Sequence, residues 1–137
     1  MTIVVTGGSG FVGTALTRTL SNSKVAENKI VLLDLIPPKS DLPPNVTFIP
    51  TDITDPMAVF DAFRSCDGGI TCVFHVAGFG LAGTSNLPAF NGKTLKVNVH
   101  GTRNIIDACL QFNVQCLGDF LSSLFKTSFF FQIKFSS

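Results

Sequence analysis

The feature that most constrains this chain is a turn with glycine at every third position. Ile3-Val4-Val5-Thr6 is a short β-branched run of the kind that fills a buried strand. It passes directly into Gly7-Gly8-Ser9-Gly10-Phe11-Val12-Gly13, and a helical pattern follows to about Leu20, with Val12, Ala15, Leu16 and Leu20 on one face. A side chain at Gly7 would obstruct a tight turn. One at Gly10 would keep an anion from the backbone, and one at Gly13 would push the helix off the sheet. A strand, a glycine turn and a helix in that order leave free amides at the helix start, where phosphate groups bind well.

The rest of the chain repeats the alternation. Lys29 to Asp34 reads as a second buried strand closed by an acid, and a Pro-rich loop from Pro37 to Pro44 leads to a third strand, Val46 to Ile49. Asp55-Pro56 starts a helix, because the carboxylate caps free amides and proline suits the first position; Val59, Phe60 and Phe63 form its apolar face. Gly68-Gly69 precedes a fourth strand, Thr71 to Val76. A loop rich in Gly and Ser, Gly78 to Asn86, leads to a long helix from Thr94 to Phe112 with a stripe of Leu95, Val99, Thr102, Ile106, Cys109 and Leu110. Val114 to Leu117 begins a fifth strand. This order predicts an α/β fold, a Rossmann-type doubly wound parallel sheet that is incomplete, with about four to five strands. No internal repeat is visible. At 137 residues there is room for one domain, predicted as residues 1–117 with a divergent Phe-rich tail over 118–137 that holds six of the 14 phenylalanines.

Composition removes several alternatives. The chain is 45% hydrophobic and 14% charged, as strands buried on both faces require. A net charge of +1 without a Lys/Arg run gives no footprint for nucleic acid or an acidic membrane. Cys66, Cys72, Cys109 and Cys116 form no metal-ligand spacing with His75 or His100, so no metal is expected and the thiols read as reduced. No basic stretch precedes the first apolar run, and Lys126 and Lys134 interrupt the apolar tail. The expectation is a cytoplasmic chain, with membrane association of the tail as the minor alternative.

Asp34 narrows the anion to a dinucleotide. It closes the second strand about 20 residues after Gly13, where a carboxylate accepts hydrogen bonds from the adenosine ribose. Its charge repels a 2′-phosphate and no arginine follows it, so NAD is expected rather than NADP. A solvated strand-end acid is the plainer reading. Asp52-Ile53, after the third strand, is placed either to flank the adenine or as an ordinary loop.

These residues resemble the extended short-chain dehydrogenase/reductases, in particular their 3β-hydroxysteroid dehydrogenase-like branch, from Thr2 to about Leu117. Thr6-Gly7-x-x-Gly10-x-x-Gly13 resembles the cofactor turn, with Phe11 and Val12 opening its helix, and Asp52-Ile53 resembles the adenine-flanking pair. Val73-Phe74-His75-Val76-Ala77-Gly78 is similar to the family's fourth strand, along which the cofactor lies. Phe79-Gly80-Leu81-Ala82-Gly83 is similar to a loop of the steroid dehydrogenase-like members. Lys96-Val97-Asn98-Val99-x-Gly101-Thr102-x-Asn104 is similar to the helix beside the nicotinamide half.

The resemblance implies an NAD-binding oxidoreductase portion acting on a hydroxyl/ketone pair, with a sterol-like small molecule as substrate. It implies cofactor contacts at Gly7, Gly10, Phe11, Val12, Gly13, Asp34, Asp52, Ile53, Val76, Ala77 and Gly78. It places Asn98 in the catalytic group, against a plainer role as a polar residue between packed helix turns; His75 reads as structural rather than as an acid/base. The family completes its site with a strand-five hydroxyl and a Tyr-x-x-x-Lys, but this chain contains no tyrosine. Ser122 or Ser123 is the candidate hydroxyl, each about one residue out of place. The expectations are therefore a C-terminally truncated relative, an inactive dinucleotide-binding fragment or an unstable truncated product as the alternative, and self-association through an uncovered fifth strand.

Overall fold

The structure is a computed structural model and describes residues 1–23, 27–80, 88–119 and 131–134. Its strands are β1 (Thr2–Thr6), β2 (Lys29–Asp34), β3 (Val46–Pro50), β4 (Ile70–His75), β5 (Cys116–Asp119) and β6 (Phe131–Lys134). They form one sheet in the order β3-β2-β1-β4-β5-β6. The first five are mutually parallel, whereas β6 runs antiparallel to β5, pairing Leu117 with Ile133 and Asp119 with Phe131. The α/β doubly wound reading holds. Its five parallel strands match the expected four to five; the addition is β6, which lies in the tail and pairs along the outer edge of β5 that had been expected to stand open.

The helices are α1 (Phe11–Ser21), α2 (Pro56–Arg64), α3 (Pro88–Leu95) and α4 (Thr102–Gln111), with Lys96–Gly101 between α3 and α4 in π-helical form. Alternate residues of the central strands feed two cores. Val4, Val31, Leu33 and Val73 face α2 and α4, meeting Val59, Phe63, Ile105 and Cys109. Ile3, Val5, Ile30 and Leu32 face the other way, meeting Leu16 and Leu20 of α1. Both sides of β1 and β2 are buried, which is why those runs show no polar alternation.

Local signals place the elements well. Asp55 caps α2, accepting from the Met57 and Ala58 amides at 2.9 and 3.4 Å, and Pro56 opens the helix. Helix faces are less well placed. In α1 the buried positions are Gly13 and Thr17, while Val12 and Ala15 are exposed. Leu16 and Leu20 of the expected face do pack on the core, and beside them Gly13 and Thr17 are buried, with the Thr17 hydroxyl returning to the Gly13 carbonyl at 2.7 Å. The last helical run starts at Pro88 rather than Thr94, and its buried face is Gly101, Ile105, Ala108 and Cys109. Leu95, Val99 and Leu110 of the expected stripe are more than half exposed. A π turn carries more residues per turn than an α turn, so a stripe extrapolated at 3.6 residues per turn drifts off the face.

Candidate functional site

The chain leaves β1 toward β2 and β3, then returns to β4 on the other side, so the crevice beyond β1 lies where the strand order reverses. A cleft of about 570 Å³ opens there. Its lining includes Gly7, Gly10, Phe11, Val12, Gly13, Asp34, Asp52, Ile53, Val76, Ala77 and Gly78. These are the candidate cofactor residues named from sequence, and the structure brings all of them to one cleft.

Gly7 makes the turn possible. Its φ is +68°, and an added Cβ would lie 2.7 Å from both the Cα and the N of Ala77 on the chain leaving β4. Gly13 is tight for another reason: a Cβ there would meet the Gly7 carbonyl oxygen and come within 2.7 Å of the Gly8 Cα. That contact is with the turn rather than with the sheet expected from sequence. A Cβ at Gly10 would meet only the Gly7 oxygen, at 3.3 Å. No side chain caps the N-terminus of α1, and Gly10 to Gly13 line the cleft, so the helix's first amides face it.

Asp34 stands on the β2 side of this turn with its carboxylate fixed. Oδ2 accepts from the Ser9 amide at 3.0 Å and Oδ1 from the Leu35 amide at 2.8 Å. The Ser9 hydroxyl donates onward to the Ile36 carbonyl at 2.6 Å. Each carboxylate oxygen retains a lone pair for a second donor. Asp52 is held differently: its Oδ1 accepts from the Thr54 hydroxyl at 2.7 Å and the Thr54 amide at 2.9 Å, and the hydroxyl bond chiefly lowers its pKa. Ile53 is buried; a Cβ on Gly101 would lie 2.7 Å from its Cδ1, and Asn104 donates to its carbonyl at 2.9 Å.

On the β4 side a polar relay crosses the sheet. His75 is 1% exposed, with Nδ1 2.6 Å from the Thr6 hydroxyl and Nε2 2.9 Å from the Thr102 hydroxyl. Thr102 donates to the Asn98 carbonyl at 2.8 Å, so it receives the proton of His75 Nε2. Nδ1 then accepts from Thr6, whose oxygen receives the Val76 and Ala77 amides at 3.2 and 3.3 Å. The relay ties β1, β4 and the π segment together beneath the cleft. Asn98 caps that segment against the loop: its Oδ1 accepts from the Phe79 amide at 2.8 Å and its Nδ2 donates to the Phe79 carbonyl at 2.9 Å. Asn98 thus grips the loop backbone with both ends of its amide. Ser122 and Ser123 lie outside the described residues, as do Leu81, Ala82 and Gly83.

Sequence reasoning missed Ser9, the Thr6–His75–Thr102 relay and the cleft residues Phe79, Lys93 and Val97. The Thr6–His75 pairing is a matter of strand register, invisible before the sheet is assembled. Lys93 was missed because the helix was expected to begin one residue later.

Comparison with known proteins agrees with this geometry. The family model of the 3-beta hydroxysteroid dehydrogenase/isomerase family matches residues 4–124. Short-chain dehydrogenase/reductase family 42E member 1 of Danio rerio is 39% identical over 112 residues, covering 81% of this chain and 26% of that protein. A 3-beta-hydroxysteroid dehydrogenase of Mycolicibacterium neoaurum is 32% identical, covering 82% and 30% respectively. The chain thus spans less than a third of the length of these curated relatives. Among solved structures, a UDP-glucose 4-epimerase of Thermus thermophilus in complex with NAD superposes with a TM-score of 0.71 at 29% identity, over 85% of this chain and 36% of that one. With its glycine turn, strand-end acid and matched sequence from Val4 onward, this chain belongs to the 3-beta hydroxysteroid dehydrogenase/isomerase family.

Proposed function

We propose that this chain is the NAD-binding portion of an oxidoreductase that interconverts a hydroxyl and a ketone on a sterol-like small molecule. One observation carries the reading: an uncapped helix N-terminus and a doubly anchored Asp34 carboxylate open into the same cleft. The first suits a pyrophosphate and the second a ribose diol, and about 570 Å³ lies within the ordinary range for small-ligand sites. The family and an NAD-complexed structural neighbour support the cofactor, and the steroid dehydrogenase relatives support the substrate class.

In this reading Gly7, Gly10 and Gly13 let the backbone approach the pyrophosphate, with Phe11 and Val12 presenting the first helical amides. Asp34 binds the ribose and excludes a 2′-phosphate by charge. Asp52 and Ile53 bound the adenine end, and Val76, Ala77 and Gly78 line the path from the turn toward Asn98. Bound NAD supplies the hydride acceptor; the chain's own residues orient it. Asn98 positions the loop, while Ser122 remains the candidate hydroxyl.

The test is calorimetric titration of the full 137-residue chain. NAD should bind more tightly than NADP. Asp34→Ala should weaken NAD by about tenfold to a hundredfold, the worth of hydrogen bonds to a charged group, and should narrow the gap to NADP. Equal affinities in the parent chain, or an unaffected Asp34→Ala, would remove Asp34 from the site.

A further inference from the structure

The cleft carries an imbalance of charge that the proposed ligand makes worse. Among the described residues lining it, the charged side chains are Asp34, Asp52 and Lys93. A dinucleotide brings two more negative charges on its pyrophosphate. The glycine turn offers amides and the partial positive charge of α1, but no cationic side chain.

Lys93 is placed to meet that need. In the sheet order, β2 with Asp34 lies on one side of β1, and β4 with its following loop lies on the other. An anion at the end of β1 therefore sits between the Asp34 carboxylate and the loop that bears Phe79. Lys93, in the last turn of α3, places its Nζ 4.4 Å from the centroid of the Phe79 ring. That distance is a cation–π contact, which holds an ammonium without neutralising it. The ring's own backbone is clamped by Asn98 at 2.8 and 2.9 Å. A flexible lysine that lines the cleft is thus tied, through Phe79 and Asn98, to the π segment.

We infer that Lys93 is the counter-ion of the dinucleotide's pyrophosphate, leaving the Phe79 ring face to meet the phosphates. The assignment rests on the dinucleotide reading above and adds to it a cation on the wall opposite Asp34. It also gives Asn98 a second consequence, as a positioning residue that sets where this charge stands. Long-range attraction between the ammonium and the phosphates is screened by salt, so the effect is strongest at low ionic strength.

The experiment titrates NAD, ADP-ribose and adenosine into the full chain and its Lys93→Met and Lys93→Arg variants, at low and at high salt. Lys93→Met keeps the apolar stem over the ring and removes only the charge. It should weaken NAD and ADP-ribose alike by about three- to tenfold at low salt, with the gap closing as salt rises, as one partly exposed charge contact implies. Adenosine, which lacks phosphate, should bind the variant as it binds the parent, and Lys93→Arg should restore most of the loss. Unchanged NAD affinity in Lys93→Met at low salt, or an equal loss for adenosine, would overturn the role of Lys93 alone. A parent chain that binds none of the three ligands would overturn the dinucleotide reading and this assignment together.

Discussion

Gly7 and Gly10 lie in the same turn, yet a methyl group added at each meets different surroundings. At Gly7 it is forced against the Ala77 backbone at 2.7 Å, on a backbone whose φ of +68° already disfavours an L side chain. At Gly10 it meets a single oxygen at 3.3 Å. Gly7→Ala should therefore cost the fold about 2–4 kcal/mol in denaturant unfolding, combining backbone strain with overpacking. Gly10→Ala should stay within about 1 kcal/mol of the parent, close to an ordinary surface change, and yet weaken NAD, because its methyl projects where the pyrophosphate would approach. Two variants that destabilise equally would contradict the separation. Residues of this kind were legible in the sequence because their chemistry is local. Glycine spacing, Asp34 after a β-branched run and Asp55-Pro56 each act within a few residues of chain. His75 and Lys93 were not legible as partners, since the first depends on strand register and the second on where a helix begins.

The elements show where periodicity stops being a guide. Strands β1 to β4 fell within about a residue of their expected bounds; for β1 and β2 the reason is that a run buried on both faces needs no phase. Helix faces do need one, and both misjudged faces have a physical cause. In α1 Leu16 and Leu20 pack as expected, but the buried line runs on through Gly13 and Thr17, small residues that an apolar stripe passes over, and leaves Val12 and Ala15 outside. Past α3 the π segment changes the count of residues per turn. The tail was read from composition alone, which says nothing about pairing, and β6 followed from neither spacing nor resemblance. Its position reverses one expectation. A chain ending after Asp119 loses β6 and bares the hydrogen-bonding edge of β5, so it should associate more than the parent in sedimentation velocity at matched concentration. A truncated chain that stays better dispersed than the parent would show that β6 is not an effective cover.

At the scale of the whole molecule, fold class and the location of the cleft followed from the order of elements, since a strand order that reverses beside β1 leaves one crevice for the glycine turn to face. Global stability holds a pH dependence that no sequence pattern announced. Cys72 and Cys116 are register partners on β4 and β5, and Cys109 packs from α4. Burial pushes the Cys72 thiol to about 12, with Cys116 adding to the rise, and burial likewise pushes Cys109 to about 12, with Cys72 adding. In the unfolded chain these thiols ionise near their ordinary 9.0. The folded state then holds protons that the unfolded state releases. The stabilisation is complete below pH 9.0 and drains away as pH rises toward about 12. Melting temperature should fall across that window, and less steeply in Cys72→Ala, whose own baseline stability is lower; parallel slopes in the two proteins would exclude the thiols as the cause. The π segment has a consequence of its own for how variants of this molecule divide. One residue removed from Lys96–Gly101 would let the run relax to an ordinary α-helix, with α4 kept in the core by Ile105, Ala108 and Cys109. The part of this helical run ahead of the deletion, α3 included, would swing by about 100° relative to α4, one residue's share of a turn. Asn98 would leave Phe79 and Lys93 would leave the cleft, while the sheet and both cores stayed whole. The fold and the wall of the cleft share a single rod, but a single deletion can part them.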